Sequence, residues 1–247
     1  NSNTIDKEAA LSPDEKLIAY MSMKNGLPQL FIKHIETEEE QLLFINTEKE
    51  YALSKPIWDP SGTRIASSIN NKPFLIKLEE DQFAIEWLNG IIGYPIGWYK
   101  QSDAILFADK STHNDKIVKF YLVTDEIVSL KTQLKDKDIF LNHNDELLSF
   151  SSGQVMTASG TNLFDNMHFI SSIYPIKNGF YFQYKENDSW TMNFYDYELG
   201  AQNLSIDFEK FCADLCSQIT AISGNTILLK EQTDTADILV LNITLNK

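Results

Sequence analysis

Cysteine is nearly absent: Cys212 and Cys216 are the two in 247 residues, too sparse a pair for a disulfide-stapled scaffold. Glycine and proline are modest, at 10 and 7, which excludes collagen-like and low-complexity chains. No apolar run approaches the roughly 18 residues that cross a bilayer as a helix, so membrane attachment is expected only through an anchor outside the chain. Positive charge is in deficit. With 21 basic against 35 acidic side chains the net charge is −14, and a field of that sign repels phosphate backbones and anionic lipid. No nucleic-acid binding is expected of this segment.

Signatures of catalysis are missing as well. The chain has no Gly-x-Ser-x-Gly elbow, no phosphate-binding Gly-x4-Gly-Lys-Ser/Thr loop and no Gly-x-Gly-x-x-Gly fingerprint. His34, His113, His143 and His168 are scattered with no His-x-His or His-x3-His spacing, and solvent-facing or locally bonded histidine is the simpler reading. The acid pairs Asp136/Asp138 and Asp234/Asp237 do not resemble the twelve-residue calcium loop. We therefore expect no catalytic residues, no metal and no cofactor. Cys212 and Cys216 lack further ligands nearby for zinc. Two readings of them stay open, a disulfide across one turn and a pair of unpaired thiols buried as small apolar groups.

What the chain has is a repeat. Pro56-Ile57-Trp58-Asp59-Pro60-Ser61-Gly62-Thr63-Arg64-Ile65-Ala66 runs from an apolar stretch through an Asp-Pro-Ser-Gly turn into a β-branched strand. Weaker copies place Ile18, Ile65, Ile105, Leu147, Phe180 and Ile227 in one column, spaced about 42 residues apart on average, within the 40 to 45 residues of a four-stranded propeller blade. Each column residue follows a turn of Gly, Asn, Asp, Ser or Lys, from Pro13–Lys16 to Ser223–Asn225. A small meander cannot bury both faces by itself, whereas blades packed around an axis bury each face against the next. The expected fold is all-β, a six-bladed β-propeller of four-stranded antiparallel blades forming a single domain over residues 1–247. Asn3 to Glu8 are expected to supply the outermost strand of the last blade, with 244–247 as the alternative. One stretch departs from the pattern: apolar residues at 208, 211, 212, 215, 216 and 219 have helical spacing, predicting a short helix near 207–218 with Asp207 as N-cap.

Leu11-Ser-Pro-Asp-Glu-Lys-Leu-Ile-Ala-Tyr and Ile57-Trp-Asp-Pro-Ser-Gly-Thr-Arg-Ile-Ala, with the following strands Gln29-Leu-Phe-Ile-Lys and Pro73-Phe-Leu-Ile-Lys, resemble the WD40-like repeat of TolB-type β-propellers. Trp98 extends the likeness to the third unit, whereas units four to six lack the Ser-Pro-Asp-Gly turn. The resemblance implies one of three settings: a periplasmic scaffold that binds partners, the gating propeller of a prolyl-oligopeptidase-like peptidase, or the periplasmic sensor domain of a ToxR/CadC-like membrane-anchored winged-helix regulator. The third suits an acidic chain that is expected to be a piece of a longer protein, since it begins Asn-Ser-Asn-Thr with no charged segment leading into an apolar one. The expected function is non-enzymatic recognition or sensing on the periplasmic or extracellular side of the inner membrane. A protein or small-molecule ligand is expected at the propeller mouth, where Trp58, Trp98 and Tyr99 are candidates for the binding surface.

Overall fold

A computed structural model of the chain describes residues 6–23, 26–44, 52–79, 82–111, 116–131, 138–151, 153–164, 170–176, 178–186, 189–207, 216–223, 226–231 and 238–242. Regular structure among them is β-strand, with no α-helix. Contacts group the chain into two compact units, one of residues 1–130 with 217–242 and one of residues 131–216 with 243–247.

In the first unit, sheet one is β1 (Asp6–Leu11), β2 (Leu17–Ser22), β3 (Gln29–His34) and β4 (Glu40–Phe44). Sheet two is β5 (Ile57–Trp58), β6 (Arg64–Ile69), β7 (Lys72–Leu78) and β8 (Phe83–Trp87). Sheet three is β9 (Gly93–Trp98), β10 (Ala104–Asp109), β11 (Lys116–Tyr121) and β12 (Ile127–Ser129). In the second unit β13 (Asp138–Leu141), β14 (Leu147–Ser151) and β15 (Gln154–Thr157) form a sheet of three, and β16 (Ile170–Ile176), β17 (Gly179–Glu186), β18 (Ser189–Asp196) and β19 (Gly200–Asp207) a sheet of four. A last sheet of three is β20 (Cys216–Ser223), β21 (Thr226–Glu231) and β22 (Ile238–Asn242). Within every sheet consecutive strands pair antiparallel, so each is a meander. The architecture is an all-β propeller fold.

The strands of sheets one and two need two apolar faces because each of these sheets is packed on both sides. On β2, Ile18 and Tyr20 join Ala9, Leu11 and Phe31 in one cluster, while Ala19 turns to the opposite face and packs with Leu30, Leu43, Ile65, Phe74 and Ile76. The next interface repeats the arrangement, with Ala66 and Leu75 of sheet two against Trp98, Ile105, Phe107 and Phe120 of sheet three. In the second unit Phe140, Leu148 and Val155 meet Phe164, Phe180 and Phe182. Alternation of fully apolar strands with this two-sided burial is what a stacked meander requires.

The repeat column is real: Ile18, Ile65, Ile105, Leu147, Phe180 and Ile227 each lie in the second strand of their sheet. So is the turn. Ser12, Asp59 and Tyr99 open it in sheets one to three, each N–H donating to the carbonyl five residues on, at Leu17, Arg64 and Ala104. The fourth residue of the turn, Glu15, Gly62 or Ser102, donates back to the opener and lies at positive φ, at 61°, 74° and 58°. This is a type I turn closed by a left-handed residue, the form in which Gly is easiest and a polar residue tolerated. Asn142 and Asp145 (φ 62°) repeat it in sheet four with one residue fewer.

Three expectations are corrected. Six complete four-stranded blades are not found: four sheets have four strands, and the fourth and sixth have three among the described residues. In sheet four the expected strand at 162–164 is reduced to a single bridge, Met156 to Asn162. Asp6 to Glu8 are not the outermost strand of the last sheet but part of β1, where Asp6 pairs with Ser22 and Lys7 with Met21; residues 3–5 lie outside the described residues. A helix across 207–218 does not fit either, since Asp207 ends β19 and Cys216 to Gln218 open β20. The apolar positions 216 and 219 belong to a strand there, and residues 208–215, Cys212 included, lie outside the described residues.

Candidate functional site

The innermost strands β1, β5 and β9 lie side by side within the first unit, and each has two ends. At the turn end stand the residues singled out by sequence. Trp58 pairs with Ile65 and Trp98 with Ile105, both immediately before the turn. Both indoles are buried, at 9% and 8% exposure. Each spans to the preceding sheet: Trp58 Nε1 donates to the Ala10 carbonyl at 3.0 Å and Trp98 Nε1 to the Ile57 carbonyl at 3.1 Å. Tyr99 opens the next turn, is 8% exposed and carries the Lys119 ammonium 3.8 Å from its ring centre, a cation–π contact that Tyr121 shares at 4.4 Å. Trp58 and Trp98 therefore sit at the turn end and fasten successive sheets together, while Tyr99 packs at the same end within its own sheet.

The same end holds a buried, fully bonded carboxylate. Asp59 is fully buried and accepts the N–H groups of Thr63 and Arg64 at 2.9 Å each, the Arg64 Nε at 3.1 Å and the Ser61 hydroxyl at 2.6 Å. Arg64 in turn lies 4.8 Å from the Trp98 ring centre and donates to the Ser102 carbonyl of the next turn. The carboxylate that sequence reads as turn chemistry is the anchor of a sheet-to-sheet bridge.

At the leading ends of the inner strands the ladders slip. Between Ala10 and Lys7 strand β1 holds one residue more than β2. Between Ile57, which pairs with Ala66, and Leu53, which bridges Ile69, the second inner strand does the same. Strand β9 repeats it between Gly97 and Pro95. A bulge at one position in three successive inner strands re-aims the side chains there. Glu8, at φ 53°, and Lys55 occupy the equivalent place on neighbouring strands, and both reach solvent. In blade three that place falls to Pro95, which is buried.

Burial pushes the Lys55 ammonium below the ordinary lysine value, and the Glu8 carboxylate partly opposes the shift. Lys55 nonetheless reaches solvent. Beyond it, at the leading end of the third inner strand, Ile92 is 52% exposed, and Lys110 Nζ lies 5.5 Å from the ring centre of half-buried Tyr94. Gly93 between them donates to the Asn71 carbonyl of the neighbouring sheet at 2.6 Å. An acid, an amine and an apolar rim on three adjacent strands make this the candidate binding face. Sequence reasoning missed it, although Pro56 and Pro95 beside two of the bulges were a signal, since proline inside a sheet is confined to edges, strand starts and bulges.

Of the histidines, His34 Nδ1 accepts the Glu36 and Thr37 N–H groups at 3.3 Å in its own hairpin. His143 stacks on Tyr197 with ring centres 5.0 Å apart. His113, His168, Asp136, Asp234 and Asp237 lie outside the described residues, as does Cys212 of the expected disulfide. No cluster of His, Cys, Asp and Glu able to hold a metal occurs among the described residues.

No protein-family model matches the chain, and no curated protein matches it in sequence. Solved structures do. TolB from Acinetobacter baumannii superposes with a TM-score of 0.55 at 14% identity, over 81% of this chain and 55% of that one. Oligogalacturonate lyase from Vibrio parahaemolyticus superposes at 0.59 and 9% identity, over 98% of this chain and 80% of that one. A prolyl endopeptidase structure superposes at 0.53 and 11% identity, over 97% of this chain and 41% of that one. The chain thus spans about half the length of the TolB structure it resembles. Likeness at these identities, across proteins of such different names, establishes the fold: a propeller of the kind found in TolB and in prolyl peptidases.

Proposed function

We propose that the chain is a non-enzymatic recognition module on the extracytoplasmic side of the inner membrane, the sensor domain of a membrane-anchored winged-helix transcriptional regulator. Its binding face is the leading end of the inner strands, and the partner is a protein or a small molecule. The observation that carries this reading is the repeated bulge, which turns Glu8 and Lys55 toward solvent at one level of adjacent strands. Strand ladders are not broken three times in register without a return, and side chains re-aimed at one rim are what such breaks supply. The net charge of −14 argues for a partner other than nucleic acid. The strength of the propeller repeat in units one to three and its fading afterwards fit a domain held for one binding face.

A second reading, an independent periplasmic scaffold, is favoured by the TolB likeness. The flanking sequence of the parent gene separates the readings. A winged helix followed by one membrane span upstream of residue 1 supports the sensor, a cleaved signal peptide supports the scaffold, and a downstream Gly-x-Ser-x-Gly domain supports a peptidase propeller. An alkaline phosphatase fusion after Lys247 then tests location. An inactive fusion overturns the extracytoplasmic assignment. In the whole regulator, exchanging Glu8→Gln and Lys55→Met together is expected to abolish the inducible change in reporter transcription; unchanged induction removes the leading-end face from the reading.

A further inference from the structure

The last strand of sheet two, β8, reads almost alike in both directions: Phe83-Ala84-Ile85-Glu86-Trp87 is aromatic-x-Ile-x-aromatic. We propose that its open edge is an interaction surface for a second copy of the chain, the two β8 strands pairing antiparallel about a two-fold axis through Ile85. This surface is separate from the leading-end face and does not depend on it.

The main chain is in phase for such pairing. Leu88 N–H donates to the Pro73 carbonyl at 3.0 Å and Glu79 N–H to the Gln82 carbonyl at 2.9 Å, so positions 82, 84, 86 and 88 turn their N–H and C=O groups toward β7. Antiparallel ladders alternate bonded with non-bonded pairs, which leaves the groups of Phe83, Ile85 and Trp87 pointing outward. Among the described residues no strand pairs with that edge. With Ile85 on the axis, Ile85 faces Ile85 of the second copy and Phe83 faces Trp87, so outward groups meet outward groups at every pair. A slip of one residue would set them against groups already turned inward.

The side chains are complementary in the same register. Phe83, Ile85 and Trp87 share the face of Phe74 and Ile76. Ile85 is 38% and Trp87 47% exposed, the indole meeting Phe74 and Phe44 edge-on with ring centres 5.5 and 6.2 Å apart. Pairing would cover both with cross-strand apolar neighbours. On the other face Glu86 meets the small Ala84 of the second copy, and Lys77, which pairs with Ala84 in the same row, stands behind it. Acid thus faces base across a methyl group, and no like charges oppose. A surface that matches itself in hydrogen-bond phase, side chain and charge is what an isologous two-fold contact requires, and it selects a second copy over an unrelated strand.

The comparable edges are blunted. In the other four-stranded sheets β4 slips against β3 between Leu30 and Phe31, β19 slips against β18 between Met192 and Phe194, and β12 is three residues long. Bulges and shortness are the usual protection of an edge. By contrast β8 keeps an unbroken register over five residues, contains neither Pro nor Lys, and has its one charge, Glu86, ion-paired with Lys77 at 2.6 Å.

Sedimentation velocity of the whole chain tests this, run from about 1 to 200 μM at about 0.15 M salt, where screening limits the mutual repulsion of two acidic chains to a range of about 8 Å. A concentration-dependent dimer is expected. Ile85→Lys sets two ammonium groups face to face on the axis and is expected to weaken the dimer by about tenfold or more, with far-UV circular dichroism and thermal melt unchanged because residue 85 is exposed. Ile85→Cys is expected to cross-link to its own copy under mild oxidation, since facing Cα atoms of a bonded pair stand about 5.5 Å apart, within disulfide reach; peptide mass identifies the 85–85 link. Val123→Cys, at a position 89% exposed in a turn of sheet three, is the control and is expected to cross-link far less. A monomer at every concentration overturns the proposal. So does a dimer that Ile85→Lys leaves at full strength, which is then built elsewhere, and so does equal cross-linking of the two cysteine variants, which reports collision and not pairing.

Discussion

The indole N–H of Trp58 donates to the carbonyl of Ala10 at 3.0 Å, and Trp98 makes the same bond one sheet further on, to Ile57 at 3.1 Å. Acceptor and donor hold the same register in each case, so the tryptophan is a rung between successive sheets. In sheet one the equivalent residue is Leu11, paired with Ile18, which has no N–H to offer and serves the first sheet only by burial.

Trp58→Phe keeps most of the apolar ring and removes the donor, leaving the Ala10 carbonyl without that partner. The expected loss is about 1–2 kcal/mol of unfolding free energy, measured as a shift in urea midpoint at constant slope. Trp98→Phe should cost at least as much, since Arg64 also stacks on its ring. A neutral result for both variants would return the two indoles to the pool of candidates for a binding surface.

Asp59 is the harder test of the same junction. It is fully buried and accepts two backbone N–H groups, a hydroxyl and the Arg64 guanidinium. Asp59→Ala removes the acceptor from all four donors, of which the Ser61 hydroxyl and the Arg64 guanidinium keep other partners, and is expected to cost about 3–5 kcal/mol. Asp59→Asn keeps one acceptor oxygen and is expected to cost less. Equal costs would mean that the charge contributes nothing beyond shape.

How much of this was legible in the sequence depends on which residues one asks about. The meander and its period were, because Ile18, Ile65 and Ile105 follow turns whose backbone needs leave a strong trace: Asp59-Pro-Ser-Gly62 is the residue choice that a type I turn with a left-handed fourth position rewards. The roles of Trp58 and Trp98 were not, since an aromatic residue before a turn reads alike whether it lines a mouth or spans to a neighbour; the deciding partner, a carbonyl 48 or 41 residues earlier in sequence, carries no sequence signal. The ends of the predicted helix were misread for a related reason. Apolar residues at 216 and 219 fit helical spacing in isolation, but neighbouring strand β21 makes a ladder available to them, and tertiary pairing overrides local period. Glu8 was invisible because a carboxylate in a left-handed bulge has no characteristic sequence.

Gly93 shows the closeness of the third inner strand to its neighbour. A Cβ there would lie 2.0 Å from the Ala108 carbonyl oxygen and 3.2 Å from the Asp109 Cα, both backbone atoms that a rotamer change cannot move aside. Gly93→Ala is expected to cost more than about 2 kcal/mol and to displace Ile92 and Tyr94, which flank it. A calorimetric melt checks the cost.

Tyr197 provides a pH test in the second unit. Its phenol is held well above the ordinary tyrosine value of 10.0 by burial and by the neighbouring Tyr195. The folded state then keeps a proton that the unfolded state releases, so stability is full below about pH 10 and falls as the pH climbs above it. Absorbance titration at alkaline pH should show Tyr197 ionising only with unfolding, as the step that Tyr197→Phe removes, and Tyr197→Phe should flatten the loss of stability in that range. Simple titration of every tyrosine near the ordinary value, before any unfolding, would contradict the burial.

Lys55 gives the opposite sign. Burial lowers its ammonium from the ordinary lysine value of 10.5 while Glu8 works against the shift. In the interval between the lowered value and 10.5 the unfolded chain holds the extra proton, so this residue's contribution to stability improves as pH rises toward 10.5. Glu8→Gln removes the opposing charge and should lower the amine further, increasing the uncharged fraction at any neutral pH. Competitive acetylation with a trace of acetic anhydride reads that fraction by peptide mass, with the mean of the other lysines as reference. The expected result is faster labelling of Lys55 than that mean, and faster still in Glu8→Gln. Labelling of Lys55 that ignores the Glu8 substitution would break the electrostatic link on which the two-charge face depends.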